Sequence, residues 1–124
     1  MINKDFYPTP VNVIIEMLSP IRERLTTSTI LEPSAGKGDI LDYLIDRQRV
    51  RKDNVYAIEI EPELQMVLAG KDYKVIGDDF LSFNEPYNFQ IIIMNPPFSA
   101  GAEHVLKAWN VVADGGIVTG KHHQ

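Results

Sequence analysis

The apolar run Ile91-Ile92-Ile93-Met94 stops abruptly at Asn95-Pro96-Pro97-Phe98. One proline would be enough to end a strand. Two prolines, with an amide before them and an aromatic ring after, do more. Each fixes its own φ and restricts the residue before it to extended conformations. Asn95 and Pro96 are therefore held extended, and neither proline offers an N–H to compete for nearby carbonyls. The side-chain oxygen of Asn95 and the main-chain carbonyl of Pro96 then form two fixed acceptors, suited to the two N–H bonds of an amino group. Phe98 can stack on the ring that carries it. The plainer reading is a strand-ending turn with a core aromatic.

Acidic residues and glycines supply a second group. "EPSAGKGD" places Glu32 before a Gly36-Lys37-Gly38 turn and Asp39 after it. Glycines at a strand-to-helix turn let a ligand approach the backbone closely. A phosphate-binding P-loop is excluded, because Gly38 stands where Ser or Thr is needed and the upstream glycine is missing. Gly-x-Gly alone is short of a full dinucleotide fingerprint, and a tight structural turn explains it equally well. Two carboxylates at a helix N-terminus repel a pyrophosphate but suit a ligand with a cationic part, such as an ammonium or a sulfonium. Glu59 lies 21 residues after Gly38, the spacing at which an acid binds ribose hydroxyls. Ile60 can pack on a base face, while Glu61, before Pro62, reads as a helix cap. In "GDDF", Asp78 or Asp79 can accept from an adenine amino group with Phe80 against the ring, or the segment is only a turn. Together these residues describe a site for an adenosine carrying a cationic amino acid, S-adenosylmethionine.

The elements that must position them alternate. Thr9 reads as an N-cap with Pro10 at the first helical position. Val11, Ile14, Ile15 and Leu18 repeat at helical spacing, and Ser19-Pro20 should break or restart that helix. Strands are expected over 29–32, 54–60, 74–76 and 89–94, and helices over 39–47, 62–69 and 102–113. Gly115-Gly116 should end the last helix, with "IVTG" beginning a fifth strand. This alternation predicts an α/β fold, a Rossmann-like parallel sheet of about five strands with helices on both faces. Ligands bind such sheets beyond the carboxyl ends of the strands, near the switch in strand order. All the candidate residues fall there.

Composition is consistent with one domain over residues 1–124. The hydrophobic content of 44% is enough for a core, and no apolar run approaches the ~20 residues of a membrane span. With no cysteine there is no disulfide, thiolate metal site or Cys nucleophile, and a cytoplasmic setting is expected. The net charge of −5 argues against a stand-alone nucleic-acid binder. Arg47, Arg49, Arg51 and Lys52 read as a solvated helix end.

Five motifs together resemble the S-adenosylmethionine-dependent N6-adenine (amino) DNA methyltransferases. They are "FYPTP" (6–10), "LEPSAGKGDIL" (31–41), "AIEIEPEL" (57–64), "GDDFLSF" (77–83) and "MNPPF" (94–98). Their order, with the Thr-Pro segment first, matches the gamma arrangement. The resemblance implies that Tyr7, Thr9 and Pro10 close over the methionine end of the cofactor. It implies a cofactor loop of Glu32, Pro33, Ala35, Gly36 and Gly38, with Glu32 toward the methionine amino group. Glu59 would hold the ribose, Ile60 would line the adenine, Asp79 would bond its amino group and Phe80 would pack beside it. Lys37, unusual between these glycines, is expected in solvent rather than on the methionine carboxylate. Asn95, Pro96, Pro97 and Phe98 would be catalytic, on adenine in DNA. RNA adenine or a protein glutamine amide is the alternative target, and Phe98, where glutamine methylators have Tyr, favours a nucleobase. Cytosine C5 methylation needs a covalent Cys and is excluded. The family's domain usually has seven strands, so the expectation is a domain incomplete at its C-terminal side, either a fragment or a natural truncation. A cofactor-binding remnant without turnover is the other alternative. An open sheet edge invites homodimerisation.

Overall fold

The computed structural model describes residues 9–95 and 101–120. Tyr7, Pro96, Pro97 and Phe98 lie outside the described residues. Five strands form one sheet: β1 (Ile30–Glu32), β2 (Val55–Ile58), β3 (Lys74–Gly77), β4 (Phe89–Met94) and β5 (Val112–Gly120). Every neighbouring pair is parallel, in the order β3-β2-β1-β4-β5. Parallel strands need crossovers: α2 (Asp39–Arg47) joins β1 to β2, α3 (Pro62–Gly70) joins β2 to β3 and α4 (Gly101–Val111) joins β4 to β5, while α1 (Val11–Leu18) precedes the sheet and a short 3-10 turn over Phe80–Ser82 lies between β3 and β4. The chain steps outward from β1 to β3 and then returns to β4 on the other side of β1. The strand order therefore reverses between β1 and β4, the position at whose carboxyl ends open α/β sheets bind their ligands.

Two apolar layers hold those ends still. On one face Ile30, Ile91 and Ile93 pack with Ile14 and Leu18 of α1, Leu41 and Leu44 of α2, and Leu68 of α3. On the other, Leu31, Ile58, Ile92 and Met94 pack with Phe80, Phe83 and Ala108 of α4. The period-two alternation of β4 divides its side chains between the layers. Ile30, Leu31, Ile91, Ile92 and Ile93 are all fully buried, each contributing about 2 kcal/mol of transfer free energy.

Three local expectations are corrected. Thr9 does not cap α1: Pro10 holds the N-cap position, with no side-chain cap bond, and its carbonyl accepts from Val13 and Ile14 N–H. Glu61 occupies the N-cap position of α3 but likewise makes no side-chain cap bond. Gly115-Gly116 does not end the last helix, which stops at Val111 and passes directly into β5. Gly116 lies in an irregular stretch of the β4–β5 pairing. The N–H groups of Gln90 and Ile91 both donate to the Thr29 carbonyl, and the β4–β5 register shifts between Phe89 and Ile91. A Cβ on Gly116 would lie 2.7 Å from the Gln90 carbonyl oxygen, so only glycine passes there. As expected, the helix changes at Ser19-Pro20, continuing as a 3-10 segment over Ser19–Thr27. Among the described residues no helix is long and apolar enough to cross a membrane.

Candidate functional site

The carboxyl end of β1 delivers Glu32 into the interior. Its side chain is 1% exposed, and Oε2 has no hydrogen-bond partner. Its pKa is raised well above the usual carboxylate value, first by burial and then by the neighbouring Glu59 carboxylate. Asp39 raises it further, and the Ser34 N–H opposes the shift. A buried carboxylate oxygen facing two more carboxylates is a poor structural element but a good receptor for a cation.

The loop that follows is clamped to β2. Ala35 N–H donates to the Ile58 carbonyl at 3.1 Å, and Gly36 N–H donates to Glu59 Oε1 at 2.7 Å. Glu59 Oε2 accepts from Glu61 N–H at 2.9 Å, so one carboxylate ties together the glycine loop and the entry to α3. Burial raises the Glu59 pKa, while the N–H bonds from Glu61 and Gly36 lower it. A carboxylate has about four acceptor sites, so capacity remains for a ligand hydroxyl. Gly36 and Gly38 have φ of 60° and 98°, the left-handed region that favours glycine. At Gly38 a Cβ would also sit 3.1 Å from Leu68 Cδ2, so packing against α3, not only ligand approach, selects glycine there. Pro33 and Ala35 are buried and Lys37 is exposed, as expected for a lysine in solvent.

Asn95 ends β4 on the other side of the switch. Its Nδ2 donates to Thr9 Oγ1 at 2.8 Å, and its Oδ1 is buried with no partner. Thr9 N–H in turn donates to Asp39 Oδ2 at 3.1 Å. Thr9 thus joins the start of α2 to the end of β4, an arrangement that the local Thr-Pro helix signal gave no means of seeing. Pro10, beside it, is exposed.

The remaining candidates stand further out. Ile60 is 60% exposed just past β2. Asp79 Oδ1 accepts from Leu81 N–H at 3.0 Å and caps the short turn over Phe80–Ser82. Phe80 is buried in the second apolar layer, its ring 5.7 Å from that of His104, itself buried on α4. Sequence reasoning missed a supporting network. Asp42 accepts from Lys71 Nζ at 2.8 Å and from Tyr73 Oη at 2.6 Å, and Lys71 Nζ also donates to the Lys37 carbonyl at 2.7 Å. These bonds lock α2 and the glycine loop onto the α3–β3 corner. Gln65, donating to the Glu59 carbonyl at 2.6 Å, was missed too. Asp42 lies three residues after Asp39 on α2, the one periodic hint available. An open groove of about 380 Å³ between α1 and α2 includes Thr9 and Asp39 but none of Glu32, Glu59 or Asn95. Among the described residues no group of three or more His, Asp or Glu is disposed to hold a metal ion.

No protein-family model matches the sequence. The type II methyltransferase M.CvrRI of Paramecium bursaria Chlorella virus XZ-6E is 30% identical over 73 residues, 57% of this chain and 18% of that protein. The chain therefore spans about a fifth of that relative. Among solved structures, a candidate RNA methyltransferase of Pyrococcus horikoshii superposes with a TM-score of 0.71 at 26% identity, over 86% of this chain and 56% of that one. An RNA methyltransferase of Salinibacter ruber, in complex with S-adenosyl-L-homocysteine, superposes with a TM-score of 0.70 at 16% identity, over 92% and 76%. The amino pentose methyltransferase CalS10 of Micromonospora echinaspora, with S-adenosylmethionine bound, gives 0.67 at 15%, over 86% and 49%. With its all-parallel 3-2-1-4-5 sheet and these likenesses, the chain has the Rossmann-like fold of the class I S-adenosylmethionine-dependent methyltransferases.

Proposed function

We propose that this chain takes part in S-adenosylmethionine-dependent methyl transfer to an exocyclic amino nitrogen, with N6 of adenine in DNA as the target. The observation that carries this reading is a pair of buried acceptors without partners, Glu32 Oε2 and Asn95 Oδ1. They end β1 and β4, the two strands that flank the switch in strand order. Natural interiors rarely leave such atoms unpaired, and a catalytic role or a bound water, ion or ligand accounts for exceptions. The donor set fits the cofactor: Glu32 answers a cationic amino acid, Glu59 a pair of ribose hydroxyls, and Asp79 an adenine amino group. Ile60, an exposed apolar side chain beside Glu59, supplies a surface for a base. S-adenosylmethionine, when bound, supplies a methyl group activated by its sulfonium charge.

The work of the chain is positioning. The N6 amino group of adenine is a weak nucleophile because its lone pair is delocalised into the ring. Asn95 Oδ1 accepts from one of its N–H bonds and the Pro96 carbonyl from the other. As these bonds strengthen, the nitrogen becomes more tetrahedral and its developing positive charge is stabilised. No strong base is required before attack, since the proton can leave afterwards. Phe98 stacks on a base that has left the duplex. Pro97 holds the carbonyl of Pro96 in place.

The partial match to a type II methyltransferase favours DNA. The likeness to a candidate RNA methyltransferase at 26% identity supports RNA as the second reading, with adenine as the base that the Asn95-Pro96-Pro97-Phe98 motif suggests. Incubation with labelled S-adenosylmethionine and adenine-containing DNA or RNA, followed by nucleoside analysis, tests both. N6-methyladenine from DNA is expected. Label in RNA alone selects the second reading. Tight cofactor binding with no transfer to either leaves a cofactor-binding remnant and refutes the proposed activity of this chain.

A further inference from the structure

We infer that Thr9 is a positioning residue for Asn95, holding its amide with the oxygen turned toward the reacting amino group. The inference rests on the proposed chemistry. A primary amide can present either its oxygen or its NH2 group, the two being nearly alike in shape. Only the oxygen can accept from an amino nitrogen, and an inward NH2 would oppose donor to donor. In the structure Thr9 Oγ1 accepts from Asn95 Nδ2 at 2.8 Å, which holds the NH2 end of the amide on Thr9 and leaves Oδ1 buried and unpartnered.

Thr9 is itself held from the cofactor side. Its main-chain N–H donates to Asp39 Oδ2 at 3.1 Å, and Asp39 is the first residue of α2, directly after Gly38. Backbone and side chain therefore do separate tasks: the N–H anchors Thr9 to the cofactor loop and the hydroxyl anchors the amide. The helix-capping role that would otherwise explain a threonine before Pro10 is not in use.

This separation makes the test clean. Thr9→Val keeps the shape and the N–H and removes the acceptor, Thr9→Ser keeps the acceptor, and Thr9→Ala serves if the valine variant fails to fold. Three quantities are read on the full chain: hydrogen exchange of the Asn95 side-chain amide by ¹⁵N NMR (assigned through Asn95→Asp), S-adenosylmethionine affinity by calorimetry, and the methyl-transfer rate. In Thr9→Val the amide protons should exchange about tenfold faster and kcat should fall about tenfold, the scale of one hydrogen bond. Cofactor affinity should stay within about twofold, and Thr9→Ser should restore wild-type behaviour. Unchanged amide exchange in Thr9→Val overturns the inference. So does weakened cofactor affinity with kcat intact, which would assign the hydroxyl to the cofactor. If the wild type transfers no methyl group, the proposed function fails, while the exchange measurement still decides the Thr9–Asn95 link.

Discussion

Glu32→Gln should stabilise the ligand-free chain while impairing its function. Glu32 is 1% exposed with an oxygen that no group bonds, and Glu59 and Asp39 add repulsion. A buried group left unsatisfied costs about 1–3 kcal/mol and a charged one more, so a neutral amide keeps the first cost and sheds the excess due to charge. The amide keeps the shape and removes the charge, so a gain of about 1–2 kcal/mol at pH 7.5 is expected, a Tm rise of about 4–8 °C in a chain of this size. The pH dependence gives a second signature. The folded pKa is raised above the unfolded value of about 4.3, so the folded chain holds this proton more tightly. The resulting stability is complete below about pH 4.3 and is lost as pH rises through the folded pKa. Wild type should therefore lose stability from mildly acidic to neutral pH, and Glu32→Gln should lose less. Thermal denaturation of both proteins from pH 5 to pH 8 measures this. A cationic ligand favours the ionised form, so wild-type affinity for S-adenosylmethionine should rise with pH and Glu32→Gln should bind at least about tenfold more weakly. A variant less stable than wild type at pH 7.5, with the same pH slope, would refute the reasoning: Glu32 would then be a satisfied structural carboxylate.

Three further outcomes are expected. Glu59→Ala removes the acceptor for Gly36 and Glu61 N–H; it should cost about 2 kcal/mol in urea denaturation and lower cofactor affinity in calorimetry at least about tenfold. Gly38→Ala combines a φ of 98° with a Cβ 3.1 Å from Leu68 Cδ2 and should lower stability by about 1–3 kcal/mol, measured the same way. Asn95→Ala should leave cofactor affinity within about twofold while the methyl-transfer rate falls about 100-fold or more, the scale of losing one preorganised acceptor.

Most of the fold was legible in the sequence because its signals are local. The apolar run of β4 and the amphipathic repeat of α2 match the structure at both ends, Phe89–Met94 and Asp39–Arg47. Alternating strands and helices predict the parallel sheet, while the order of its strands, and so the position of the reversal, comes from the structure. The errors lie where distant residues override a local signal. Thr9 has the chemistry of an N-cap, but its partners are 30 and 86 residues away. Gly115-Gly116 resembles a helix stop, yet the carbonyl of Gln90 on the neighbouring strand is what requires a glycine. Glu59 was legible as an acid at the right spacing. Its two bonds to the loop and to α3 were not, because they depend on the parallel pairing of β1 with β2. The Asp42–Lys71–Tyr73 network has no sequence signature for the same reason. Glu32 and Asn95 were singled out by type, and the structure adds that each lies at the carboxyl end of its strand with a buried oxygen that no other group bonds.

The central claim is that β1, β2 and β4 present a receptor for a cationic adenosine cofactor. Calorimetric titration of S-adenosylmethionine into the wild-type chain at pH 7.5 tests it most directly, with Glu59→Ala as the paired control. The account predicts saturable binding at one site per chain, weakened at least about tenfold in the variant. No binding to wild type, or binding that Glu59→Ala leaves unchanged, would contradict it.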